Sequence, residues 1–371
     1  MSMDSINAPQ MIEHLCKSLN FTPHEVRWIP CSARFICTGI SPSSKGVLNM
    51  FELSKGGLNT VLDCKNMCDH GVKCATFGAS GVEQRHLAIG DYGGCLSIHD
   101  LHRFSNDGGN NSGRSDIFSV RTAHSSIINA IDGIGGGSIG HGAPELVTGG
   151  RDGCVRVWDP RVNHAVVHLE PKQNTSARDC WTVAFGDSYN DEERCVCAGY
   201  DNGDVKVFDL RTNSLRWETN CRNGVTSIQF DRPDIEMNKM VVTTLESKFH
   251  CYDLRTQHAE DGFTCHTERA HRSTIWFGRH LPQNRDIFMT GGGNGGLNIY
   301  KYHYPGNRVG KHRQDGNPIG IPGTVELLNS RVISTQPIGS FDWSPDREGL
   351  CCMSCLDQTI RVYIVTKLDK Q

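Results

Sequence analysis

Short runs of alternating apolar and polar residues recur along this 371-residue chain, and each ends on an aromatic residue or His that is usually followed by an acid. They are KGVLNMFEL (45–53), GDYGGCLSIHDL (90–101), GGRDGCVRVWDP (149–160), GYDNGDVKVFDL (199–210), TLESKFHCYDL (244–254), GGNGGLNIYKY (292–302) and CLDQTIRVYIV (355–365). A period of two residues, bounded by Gly, Asn and Asp, predicts a strand after a tight turn. A second apolar run precedes most of them (FICTG, HLAIG, ELVTG, CVCAG, MVVTT, IFMTG, LCCMS), and a third precedes that (HEVRWIP, GVKCATFG, IINAIDG, CWTVAFG, VTSIQFD, TIWFGRHL, IGSFDWSP). Seven units of at least three strands, roughly 44 to 63 residues apart, predict an all-β, seven-bladed β-propeller. One such sheet buries too little to stand by itself. Blades stacked radially bury both faces of each sheet, which explains strands that are apolar on both sides.

The seventh unit runs out at RVYIVTKLDKQ, too soon for a fourth strand. The segment QMIEHLCKSL (10–19) precedes the first unit and is expected to supply that strand, closing the ring and covering an edge. The whole chain, 1–371, then reads as one propeller. Three stretches interrupt it. Residues 102–116 are rich in Gly, Asn and Ser, 133–144 extend a turn in the third unit, and 304–323 form a long insertion before the last blade.

These repeats resemble WD-repeat propellers. In that family a His before the first strand, a Ser or Thr in the second, an Asp in the following turn and a Trp in the third strand form a hydrogen-bonded tetrad. The resemblance places His124, Thr148, Asp152 and Trp158 in those roles, as a structural set. Other units degrade the pattern: Asn202 and Asn294 replace the Asp, Gly93 and Glu246 stand there elsewhere, and the Trp becomes His99, Phe208, Tyr252, Tyr300 or Tyr363. A packing motif can fade from copy to copy, whereas a catalytic one would not appear in fading copies.

Composition narrows the function. The high glycine content, 40 residues, suits turns, and the net charge of −3 comes without a Lys/Arg run long enough to follow a phosphate backbone, so nucleic acid is not expected as a partner. No apolar run approaches the roughly 18 residues of a membrane span, and the N-terminus lacks a secretory pattern. A cytoplasmic, monomeric propeller is the expectation, with 17 cysteines acting as small buried hydrophobes. Two matches to G-x-G-x-x-G, at 135–140 and 291–296, precede strands where a dinucleotide site needs a helix. Cys352 and Cys355 form a C-x-x-C within a strand, without the second pair a zinc site needs. No Walker loop, G-x-S-x-G or H-E-x-x-H arrangement stands out, so no cofactor, metal or catalytic residue is expected and the chain is read as no enzyme.

A more specific resemblance rests on residues that no blade requires: VRWIPCSARF (26–35), INAIDGIGGG (128–137), RDCWTVAFG (178–186), CAGYDNGD (197–204), LRWETN (215–220), NGVTSIQFDR (223–232), DLRTQH (253–258), HLPQNRD (280–286) and FDWSPD (341–346). Together they resemble the Monad-type WD-repeat family of dynein axonemal assembly factors, over nearly the whole chain. The resemblance implies a protein-interaction scaffold for cytoplasmic preassembly of axonemal dynein arms. The implied partners are axonemal dynein chains and a prefoldin-like and AAA-ATPase co-chaperone assembly; modulation of apoptosis is a further implied role. Partner contacts in WD-repeat proteins cluster around the central channel, which places Asp179, Trp181 and Trp276 in first strands, and Arg151 and Asp201 in turns, as candidates. In the bland alternative, Trp181 packs between blades and Arg151 is a solvated turn residue. A second functional reading is a reader of a modified peptide, such as a methylated histone tail, with Trp181, Tyr200 and Trp276 as a cage.

Overall fold

The computed structural model describes residues 7–104, 116–135, 145–171, 176–189, 192–232, 234–258, 260–311 and 316–371. Seven four-stranded antiparallel sheets form a seven-bladed propeller. The first strand of each blade lines the channel: Thr22–Trp28, Val72–Thr76, Ile128–Gly133, Cys180–Gly186, Val225–Phe230, Ile275–Leu281 and Ile338–Trp343 for blades 1 to 7. In blade 7, Thr359–Thr366 pairs antiparallel with Gln10–Ser18, from Gln10 opposite Thr366 to Ser18 opposite Thr359. The blade therefore takes its outer strand from the other end of the chain, and Tyr363 donates its hydroxyl to Glu13 at 2.7 Å.

Burial follows each strand's radial place. Second strands such as Cys195–Tyr200 and Leu350–Cys355 are buried at every position, because neighbouring blades cover both faces. Outer strands such as Ser214–Asn220 alternate between half-buried and exposed. Among the described residues, seven apolar clusters each lie between two adjacent blades, from Ile36, Leu48 and Ile89 between blades 1 and 2 to Val26, Phe35 and Val362 between blades 7 and 1. The core is thus a ring of seven interfaces, which is why one blade cannot fold independently.

First strands leave one edge without a neighbouring strand, and their backbone groups need partners. Side chains of the adjacent blade supply them. Asp342 accepts from Trp28 N–H at 2.8 Å, Asp132 from Phe185 at 2.9 Å, Thr182 from Ile228 at 3.1 Å and Gln229 from His280 at 2.6 Å. Nearer one mouth, His24 donates to the Val72 carbonyl at 2.8 Å and Asn129 to that of Cys180 at 3.0 Å. Burial pushes the Asp342 carboxyl up to about 6, against the pull of Arg27.

The insertion at 304–323 lies inside blade 6, since the fourth strand of that blade, Thr324–Val332, follows it. It forms a hairpin of Val309–Lys311 and Pro318–Gly320 that packs on the outer strands of blade 5. Arg308 donates to Asp253 at 3.0 Å and lies 4.6 Å over the Tyr304 ring, while the Tyr304 hydroxyl accepts from buried Lys239 at 2.9 Å. Most of the 102–116 segment and most of 133–144, including the first glycine-rich match, lie outside the described residues. No helix among the described residues is long and apolar enough to cross a membrane.

Candidate protein-interaction face

The loop before each first strand and the turn between second and third strands meet at one end of the propeller. In blade 3 this meeting is a chain of hydrogen bonds. The Trp158 indole donates to the Thr148 hydroxyl at 2.8 Å, which lies 2.7 Å from His124 Nε2, while His124 Nδ1 lies 2.9 Å from Asp152 Oδ1. Indole is a donor only and a carboxylate only an acceptor, so the hydroxyl donates to Nε2 and Nδ1–H donates to the Asp. Asp152 also accepts from the backbone N–H of Ser125 at 3.0 Å and of Cys154 at 3.1 Å. Burial raises the Asp152 carboxyl, but His124 and these N–H groups outweigh it and hold the group below the usual carboxylate range. The His124 side chain is fully buried, so both imidazole nitrogens face only their protein partners.

Blade 6 holds a related arrangement that the strand pattern did not single out. His271 Nε2 lies 2.9 Å from the Thr290 hydroxyl, and Asn294 stands where blade 3 has Asp152. The signal was present in the sequence, where RAHRST (269–274) echoes RTAHSS (121–126).

Four of the five candidate contact residues form one arc across blades 3 and 4, reaching Gly224 at the start of blade 5. The Arg151 guanidinium lies 3.5 Å from the Asp179 carboxylate, and the Asp179 carbonyl accepts from Asp201 N–H at 3.0 Å. The Asp201 carbonyl and the Trp181 ring both close on the backbone of Gly224, leaving Trp181 half-buried. One Asp201 carboxylate oxygen is buried without a hydrogen-bond partner. Trp276 does not join them. It lies in blade 6, 39% exposed, beside Ser273 and Gly293. Tyr200 is buried with the Lys206 ammonium 5.6 Å over its ring, so it is not presented to a ligand. Among the described residues no ring contact joins Trp181, Tyr200 and Trp276 into a cage.

The sequence features that imitate chemistry fall on ordinary strands. Residues 291–296 end one strand and begin the next through a turn. Cys352 and Cys355 are buried in the second strand of blade 7, where burial pushes both thiols up, Cys355 to about 11. All 17 cysteines are free. Among the described residues no group of three or more His, Cys, Asp or Glu is placed to hold a metal ion.

A closed ring of seven four-stranded blades, with a His–Thr–Asp–Trp chain at a blade's loop end, defines a WD-repeat propeller. A family model described as "WD domain, G-beta repeat" matches residues 117–159, the stretch that carries that chain. The protein is 52% identical to dynein axonemal assembly factor 10 of Homo sapiens over 99% of this chain and 100% of the relative. It is 51% identical to that of Chlamydomonas reinhardtii over the same shares, and 24% identical to that of Dictyostelium discoideum over 95% and 94%. The chain belongs to the dynein axonemal assembly factor 10 family.

Proposed function

We propose that the chain is a non-enzymatic scaffold for preassembly of axonemal dynein arms in the cytoplasm, acting beside a prefoldin-like and AAA-ATPase co-chaperone assembly. The observation that carries this is the full-length match, at about half identity, to relatives named for axonemal dynein assembly. The arc of Arg151, Asp179, Trp181 and Asp201 supports it as a preformed contact surface, because a rigid face loses little entropy on binding and Trp and Arg are common anchors. The Arg151 side chain is 59% exposed and Trp181 half-buried, so both remain open to a partner.

The test is removal of the protein from a ciliated cell. Dynein arms are expected to be missing from the axoneme, with immotile cilia, and normal arms would overturn the reading. Replacing Arg151 and Trp181 together should weaken capture of the co-chaperone assembly by the full chain at physiological salt, with the melting temperature held. Capture of histones in place of dynein chains would favour a peptide reader, and nucleotide turnover by the purified chain would refute the non-enzymatic part.

A further inference from the structure

The loop end of blade 6 carries an open cleft of about 650 Å³ walled by Arg269, Arg272, Asn294, Asn298, Ser330 and Val332. The equivalent place in blade 3 is filled. There Arg156 reaches across the blade end, 3.6 Å from Asp152 and 3.9 Å from Glu170, and donates to the Ala123 carbonyl. Strand register aligns Trp158 with Tyr300, and hence Arg156 with Asn298, Asp152 with Asn294, and Glu170 with Val332. Asn298 still caps the corresponding carbonyl, of Ala270, at 2.7 Å, but it is too short to fill the space beyond. Blade 6 has therefore lost one arginine and two carboxylates together, and a cleft stands in their place.

What remains around the cleft is cationic. Arg269 and Arg272 are both exposed, neither forms an ion pair among the described residues, and no carboxylate lines the walls. The net charge of the chain is −3, so two arginines facing an acid-free hollow run against its average. Towards the channel from the cleft, Gly293 occupies the position of Arg151, beside Ser273 and the exposed Trp276, so no side chain reaches over the cleft from that turn position. Val332, 67% exposed, adds an apolar wall.

We propose that this cleft binds an acidic peptide segment of a protein partner, its carboxylates on Arg269 and Arg272 and an apolar side chain against Val332. Guanidinium pairs with carboxylate in a two-pronged fashion, and the volume falls within the range of ligand pockets. The proposal rests on reading the chain as a protein scaffold, but binding to purified protein tests it separately from any dynein phenotype.

The probe is a fluorescein-labelled peptide, Glu-Asp-Glu-Leu-Glu-Asp-Glu, titrated onto the full chain at low and physiological salt by fluorescence anisotropy. Its Gln/Asn counterpart and an oligouridylate of similar charge serve as competitors. Binding is expected to weaken as salt rises, and R269Q/R272Q should bind about tenfold more weakly as two charge-assisted contacts are lost. The exposed Arg211→Gln in blade 4 should bind as the native chain does, and Val332→Ser should weaken binding of the Leu-containing probe more than of one with Gly at that place. Equal melting temperatures establish that the variants are folded; if R269Q/R272Q is not, R269K/R272K is used, with weakened but measurable binding expected. No binding by the native chain, equal binding by R269Q/R272Q and R211Q, or equal competition by the neutral peptide or the oligouridylate would overturn the proposal.

Discussion

In blade 3 the turn between second and third strands is held by a carboxylate; in blade 6 the same turn is held by an amide. Both turns place a glycine in the left-handed region, Gly153 at φ +77° and Gly295 at +72°. Their side chains are wired differently. In blade 3 one continuous chain runs from Trp158 through Thr148 and His124 to Asp152. In blade 6 the tyrosine that replaces Trp158 turns its hydroxyl to Asn298 at 3.0 Å, and Ser330 donates to Asn298 at 2.6 Å, so the His271–Thr290 pair stands apart. Burial then lowers His271 to about 4, with Asn294 and Thr290 opposing only weakly. The backbone turn survives either wiring. The carboxylate is therefore no requirement of the fold, and its removal from blade 6 frees the surface above it for other use.

The largest expected effect separates the two turns directly. Asp152→Ala removes the acceptor of two backbone N–H groups and of His124 in a buried place, and should cost about 1–3 kcal/mol. Asn294→Ala removes the acceptor of Gly296 N–H at 3.3 Å and a neutral neighbour of His271, from an exposed position that water can refill, and should cost under about 1 kcal/mol. Denaturant unfolding of both variants checks this. Equal losses would mean that the carboxylate and the amide do the same work.

Much of this comparison can be read in the sequence, and the part that cannot has a physical cause. Alternation and turn residues mark every second and third strand, because strand period and left-handed turns leave local traces. The His124–Asp152 pair, 28 residues apart in one repeat, is legible through the resemblance to WD-repeat propellers and not through strand period. Asn298, Ser330 and Val332 carry no local signal: an Asn inside a strand becomes meaningful only when register sets it where another blade has Arg156. The docking of the 304–323 insertion is equally hidden, since Arg308 finds Asp253 across 55 residues and between blades. Trp276 could be assigned to a first strand but not parted from Trp181, because angular position around a ring is a property of the whole assembly.

A second, smaller effect is a pH dependence that the blade 6 histidine brings at mild acidity. His271 has a folded value of about 4 against an ordinary 6.5, so between these pH values the unfolded chain binds the extra proton and stability falls as pH drops. Its share should be about 1–2 kcal/mol on going from pH 7 to 5. Asp152, held below the usual carboxylate range, loses its contribution only as pH falls beneath about 4. Asp342 acts with the opposite sign, because its raised value makes stability fall as pH rises through about 6. Unfolding of the native chain and His271→Gln at pH 7 and pH 5 isolates the blade 6 share: the gap between them should shift in favour of the variant at pH 5. An unchanged gap would show that His271 takes up its proton in the folded state without cost.

The smallest effect is the most direct test of the wiring. Asn294→Asp restores to blade 6 the acid that blade 3 carries. The new carboxylate lies at an exposed position, so at pH 7 it should change stability by only a few tenths of a kcal/mol. Its signature is instead in the histidine: a negative charge beside Nδ1 favours the imidazolium, and the His271 value should rise from about 4 toward the ordinary 6.5. The loss of stability between pH 6.5 and 4 should shrink accordingly, because less protonation is denied to the folded state. Imidazole nitrogen shifts of His271, followed by NMR across that range, read the change without relying on unfolding. A value that stays near 4 with the turn intact would mean that burial under the Thr290 strand, and not the missing carboxylate, separates blade 6 from blade 3. The same variant should also weaken the acidic probe at the cleft, since it returns a like charge to a site distinguished by having none.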